Sequence, residues 1–92
     1  MLMTRAAMAE VQCSLAELYR DGNGVRQDMA EAARFFRKAA DQGHAQAQCG
    51  LGRMTRRGEG GLKKDDEAAA QLFRRAADQG FPQAQSNLGL CY

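Results

Sequence analysis

The pentapeptide AADQG stands at 39–43 and again at 76–80, and the echo runs on, AADQGHAQAQCGLG being answered by AADQGFPQAQSNLG. A period of roughly 20–50 residues obliges a chain to fold as a stack of like units, because each unit alone leaves an apolar face that only a neighbour covers. The pentapeptide recurs after 37 residues, whereas Gln12-Cys13 returns as Gln48-Cys49 after 36, with Leu15 on Leu51. Aligning GNGVRQD (22–28) with GEGGLKKD (58–65) makes Gly61 a one-residue insertion in a glycine-rich turn, where insertions are tolerated. The chain thus divides into units at 8–43 and 44–80 and the opening of a third at 81–92.

Each unit reads as two helices. Val11, Leu15 and Leu18 fall at i, i+4 and i+7 and predict one buried stripe, repeated as Ala47, Leu51 and Met54. Asp28 is placed to cap the second helix, and Glu31 three residues on completes a capping-box pattern. Asp65, Asp66 and Glu67 crowd the corresponding first turn, where the helix dipole favours anions. The second helix carries Ala32, Ala33, Phe36, Ala39 and Ala40 on one face, with Phe73 repeating Phe36. Gly43 and Gly80 stop these helices, and Pro82 opens the next. Gly52 and Gly89 lie within helical stretches, which costs about 1 kcal/mol relative to Ala. The expected offset is close approach of the partner helix, with Phe36 or Phe73 filling the space beside it.

Composition agrees with helices: 45% of residues are hydrophobic but only 7% aromatic, with no Trp, and much of the apolar content is Ala. Thirteen Lys and Arg against eleven Asp and Glu are too balanced to argue for a nucleic-acid partner. No segment is long and apolar enough for a signal peptide or a membrane span, so the chain as given is expected in the cytoplasm; a leader upstream would direct it to the periplasm or outside. The densest charge is 53–64, with Arg53, Arg56, Arg57, Lys63 and Lys64 against Glu59. It would suit an acidic protein, RNA or a lipid surface, the plainer reading being a solvated turn. The glycine turns follow helices and lack the phosphate-loop pattern, and His44 stands alone, so neither points to a cofactor or a metal.

The order A…LG..Y, G.G(V), D, A, F..(K/R)AA, G resembles the Sel-one-like repeat, a relative of the tetratricopeptide repeat, over residues 9–92. Departures are Ala16 for the first-helix Gly, Thr55 where Tyr19 and Tyr92 stand, and Leu62 displaced by the Gly61 insertion. The resemblance implies an all-α, right-handed α/α superhelix of about two and a half repeats. It implies a non-enzymatic adaptor that binds a protein or peptide on its concave face, with no specific nucleic acid. Carried onto this chain, that face takes in Glu10, Cys13, Glu17 and Arg20, then Gln46, Cys49, Arg53 and Arg56, then Gln83, Ser86 and Leu90.

Two rival functions accompany the adaptor reading: a weak nucleic-acid or anionic-surface binder using 53–64, and a β-lactam-binding or hydrolysing protein. The second arises because some family members are cysteine-rich secreted proteins in which disulfides tie the two helices of each repeat. Here Cys13 and Cys49 occupy equivalent positions on successive first helices, about 8–10 Å apart if packed, and the second helices offer no partner. Reduced thiols are expected, Cys13 and Cys49 on the inner face and Cys91 in the core. Leu88, Cys91 and Tyr92 form an apolar end, which predicts either continuation into a longer array or self-association there.

Overall fold

The helix boundaries follow from a few polar side chains. Thr4, Asp28 and Asp65 accept hydrogen bonds from the amides of Ala7, Glu31 and Ala68 at 3.1, 3.1 and 3.0 Å, each satisfying a donor that the first helical turn leaves open. The computed structural model describes residues 4–90, and side chains as far as Gly89. Among these it contains α1 (Arg5–Asp21), α2 (Met29–Asp41), α3 (Ala45–Arg57), α4 (Asp66–Asp78) and α5 (Pro82–Leu90), and no strand. α1 and α2 form one hairpin and α3 and α4 the next; α2 packs on α3, α4 on α5, and α5 lies beside α3.

Only half of the expected capping box is made. The Glu31 carboxylate takes both arms of Arg34 at 2.9 Å instead of reaching back. The Asp28 amide donates to the Tyr19 carbonyl at 2.9 Å, and the Asp65 amide to the Thr55 carbonyl at 3.1 Å. Those bonds clasp the two helices of each hairpin through main chain, so the change from Tyr19 to Thr55 leaves the clasp intact. Thr55 satisfies its buried hydroxyl on the Leu51 carbonyl at 2.8 Å. No atom lies within 4 Å of where a Gly61 side chain would begin, so the inserted residue is absorbed in open space, and Leu62 still packs against the core.

AADQG is a joint. Ala39 and Ala76 are fully buried, and Gly43 and Gly80 turn the chain at φ 84° and 81°. The Gln42 amide nitrogen donates to Gln12 Oε1 at 2.8 Å and that of Gln79 to Gln48 Oε1 at 3.0 Å. Each glutamine thereby ties the end of a second helix to the first helix of its own hairpin.

Phe36 and Phe73 are fully buried, as expected. One apolar cluster gathers the inner faces of α1 and α2 with Ala47, Leu51 and Met54 of α3; a second gathers Cys49 with Ala69, Phe73, Ala76 and Ala84. α3 therefore contributes to both. A Cβ at Gly52 would lie 2.8 Å from the Phe73 ring, so the expected close approach is there, though against the ring itself and not against alanine. Gly50 does the same on the other side, where a Cβ would meet the Phe36 ring at 2.6 Å. At Gly89 nothing lies within 4 Å, and the close approach expected there is not made.

The α1 stripe differs from expectation. Val11 and Leu18 are 43% and 36% exposed, while Ala9, Cys13 and Ala16 form the buried face. A first helix has two apolar sides, one toward its hairpin partner and one toward the preceding unit's second helix. In α3 the latter side (Ala47, Leu51, Met54) is covered by α2; in α1 no described helix lies against it. The expectations for Cys91, Tyr92 and the Leu90 side chain fall outside the described residues.

Gly50→Ala and Gly52→Ala should each lower stability by about 1–3 kcal/mol through overpacking against a buried ring, although Ala is the better helix former. Gly89→Ala should leave stability unchanged or raise it. Urea unfolding followed by circular dichroism checks both signs.

Candidate protein-interaction groove

The hairpin joint sets α1 and α3 side by side, and Gln46 at the start of α3 donates through Nε2 to Glu17 Oε1 on α1 at 2.6 Å. Two clefts lie along these helices, and the bridge stands in the wall of the smaller. One, of about 250 Å³, is lined by Glu10, Cys13, Ser14, Glu17, His44 and Gln46. The other, of about 500 Å³, is lined by Arg20, Asp21, Gln27 and Met29 with Gly50, Arg53, Met54, Arg57 and Glu59.

The charges differ in how far they are spent. Arg20 forks onto Asp21 at 3.0 and 3.3 Å and sits 5.8 Å over the Phe36 ring. The hydrogen bonds from Arg20 hold the Asp21 carboxyl below its ordinary range, with Arg53 adding a smaller through-space pull. Arg53 and Arg57 themselves make no ion pair among the described residues, and neither does Glu17. Glu17 is fixed by neutral donors, Gln46 and the Cys13 thiol at 3.6 Å, with the Arg20 charge acting on it only through space.

Of the residues read from the sequence, Glu10, Glu17, Arg20, Gln46 and Arg53 line these clefts. Gln83 and Ser86 are exposed on α5. Cys13 and Cys49, expected on the inner face, are only 1% and 3% exposed and belong to the apolar clusters, Cys13 lying at the floor of the smaller cleft, so neither offers a partner appreciable surface. Both are free thiols. Burial, reinforced by the Glu17 charge and hydrogen bond, pushes the Cys13 thiol up to about 12. Burial also raises Cys49, against a weaker opposing hydrogen bond from Asn87 Nδ2 at 3.3 Å. Protonated, enclosed thiols are poor nucleophiles, so neither Cys13 nor Cys49 is poised for attack on a bound molecule.

Arg56 is half-buried, its Nε enclosed without a hydrogen-bond partner, and it lines neither cleft. The basic stretch is thus dispersed: Arg53 and Arg57 enter the groove, Arg56 does not, and Lys63 and Lys64 are exposed beyond the turn. Sequence reasoning missed Asp21, and it counted Arg57 and Glu59 in the charged stretch 53–64 without placing them on the same face as Arg53. For Arg57 that placement was within reach, since it follows Arg53 by one helical turn.

The Sel1 repeat family model matches residues 9–44, 45–81 and 82–92. The chain belongs to the Sel1 repeat family. Among solved structures it is similar to a Sel1 repeat protein from Oxalobacter formigenes, at 39% identity and TM-score 0.83, over 91% of this chain and 34% of that one. It is also similar to a protective antigen present in uropathogenic Escherichia coli strains, displaying an SLR fold, at 38% identity and TM-score 0.83, over 88% of this chain and 17% of that one. This Sel1 chain therefore spans about a third or less of the length of these relatives. Among curated proteins none matches it. Sel1 repeats are generally protein-interaction modules and typically non-enzymatic scaffolds. No described helix is long and apolar enough to cross a membrane.

The raised Cys13 pKa carries a stability consequence. The folded state keeps this thiol neutral, so its contribution is complete below the ordinary 9.0 and is lost as pH rises toward about 12, where the unfolded chain alone would ionise it. Stability should decline over that interval more steeply in the native chain than in Cys13→Ala, as followed by chemical unfolding at successive pH values. A thiol-specific chromogenic reagent should label Cys13 at neutral pH only after denaturant is added.

Proposed function

We propose that this Sel1 chain is a non-enzymatic adaptor that holds a partner protein in the furrow between α1 and α3. The observation that supports the reading is that Glu17, Arg53 and Arg57, contributed by two successive units, line clefts along the same two helices without being tied up in ion pairs. Keeping uncompensated charges of one sign one turn apart costs stability, a cost that a binding partner would offset. Charges arranged this way steer encounter and set partner choice more than they add raw affinity.

Arg53→Glu/Arg57→Glu should lose a partner captured by the native chain while its helicity is unchanged. Lys63→Glu/Lys64→Glu, which alters the same net charge outside the groove, should retain it. Equal loss in both pairs would favour a diffuse electrostatic surface, and retention in the first would move the binding face elsewhere.

A further inference from the structure

The two clefts differ in the sign of their net charge, Glu10 and Glu17 lining the smaller and Arg20, Arg53 and Arg57 outweighing Asp21 and Glu59 in the larger, and the spacing is fixed by one helix. Glu17 is pinned at Gln46, and Arg53 and Arg57 follow Gln46 along α3 by seven and eleven residues. At about 1.5 Å per helical residue the guanidinium-bearing positions lie roughly 10 and 16 Å further on. Extended chain advances about 3.3 Å per residue, so that interval is spanned by about three to five residues.

From this we infer that the occupant is an extended peptide segment carrying a Lys or Arg at Glu17 and, three to five residues away, one or two Asp or Glu at Arg53 and Arg57. Glu17 offers the cation a carboxylate already oriented by Gln46 and Cys13. At the other end Arg20 is held by Asp21 and by the Phe36 ring, and so forms a wall, leaving Arg53 and Arg57 as the groups that meet the acids. Gly50 lines the cleft with main chain alone, its side-chain direction being taken up by the buried Phe36 ring. The inference rests on the α1–α3 furrow being the binding face, and it adds the chemistry and spacing of what binds.

Fluorescence anisotropy with labelled ten-residue peptides tests it. One peptide places Lys four residues from a Glu pair, in either chain order. A second has the same composition with the charges adjacent, and a third replaces the Lys by Ala. At least one order of the spaced peptide should bind tenfold or more tighter than both controls, with affinity falling as salt is raised. Glu17→Lys/Arg53→Glu/Arg57→Glu should reject that peptide and accept its charge-inverted counterpart, a rescue that a misfolded variant would not give. Equal binding of spaced and compressed peptides, indifference to the Lys, or no binding to any of them would overturn the proposal. If partner capture still depends on Arg53 and Arg57 in that case, the furrow reading stands and only the spacing rule falls.

Discussion

α3 runs between two phenylalanine rings, and the rest of the molecule is arranged around that passage. Gly50 meets Phe36 and Gly52 meets Phe73, each closer than a side chain would allow. Two positions on a helix are separated by about 200° around the axis, so the two glycines open opposite sides. One helix can thereby contribute to two cores at once. The helical penalty of two glycines, about 1 kcal/mol each, is offset by full burial of two phenylalanines, each contributing roughly 1.5–3 kcal/mol.

That close approach also produces the groove. Phe36 fills the core with its edge toward Gly50 while Arg20 lies over its face. Gly50 lines the larger cleft through its main chain, while the space a side chain would take is filled from the core by the Phe36 ring. A side chain there would displace the ring that underlies the cleft. Packing and binding surface are thus joined at one residue. The glutamine bonds of the joint, Gln42 to Gln12 and Gln79 to Gln48, fix each hairpin internally, and it is Gln46 to Glu17 that links α1 to α3 directly.

Features decided within a few residues were legible in the sequence: the caps at Asp28 and Asp65, the stops at Gly43 and Gly80, and the buried Phe36 and Phe73. The repeat was legible from the period, and the family with its all-α superhelix from the resemblance of the spaced motif residues. What failed was the choice between two apolar faces on one helix. Val11, Leu15 and Leu18 are bulkier than Ala9, Cys13 and Ala16, and a periodicity argument follows bulk. Hairpin packing instead selects small residues, because the helices approach closely. The same error placed Cys13 and Cys49 on the surface, since both lie on the small-residue face. The role of Gln in AADQG was not legible, because its partner lies about thirty residues away.

The polarity of the groove comes from a difference between units. Glu17 and Arg53 stand 36 residues apart at equivalent positions of α1 and α3, and Asp21 and Arg57 do likewise. The stack fixes where these side chains stand, and the backbone clasps and glutamine ties that do so are alike in both units. Sign is left free, because an exposed position on a helix accepts either charge at little cost to the fold. Acid in the first unit and base in the second convert a translational repeat into a furrow with distinguishable ends. Two units carrying the same charge at these positions would make a uniform patch, attractive to any counter-charged surface. Opposed charges at a spacing set by the helix favour a partner in one direction along the furrow, which is how an array of near-identical units can present a surface that is not itself repetitive.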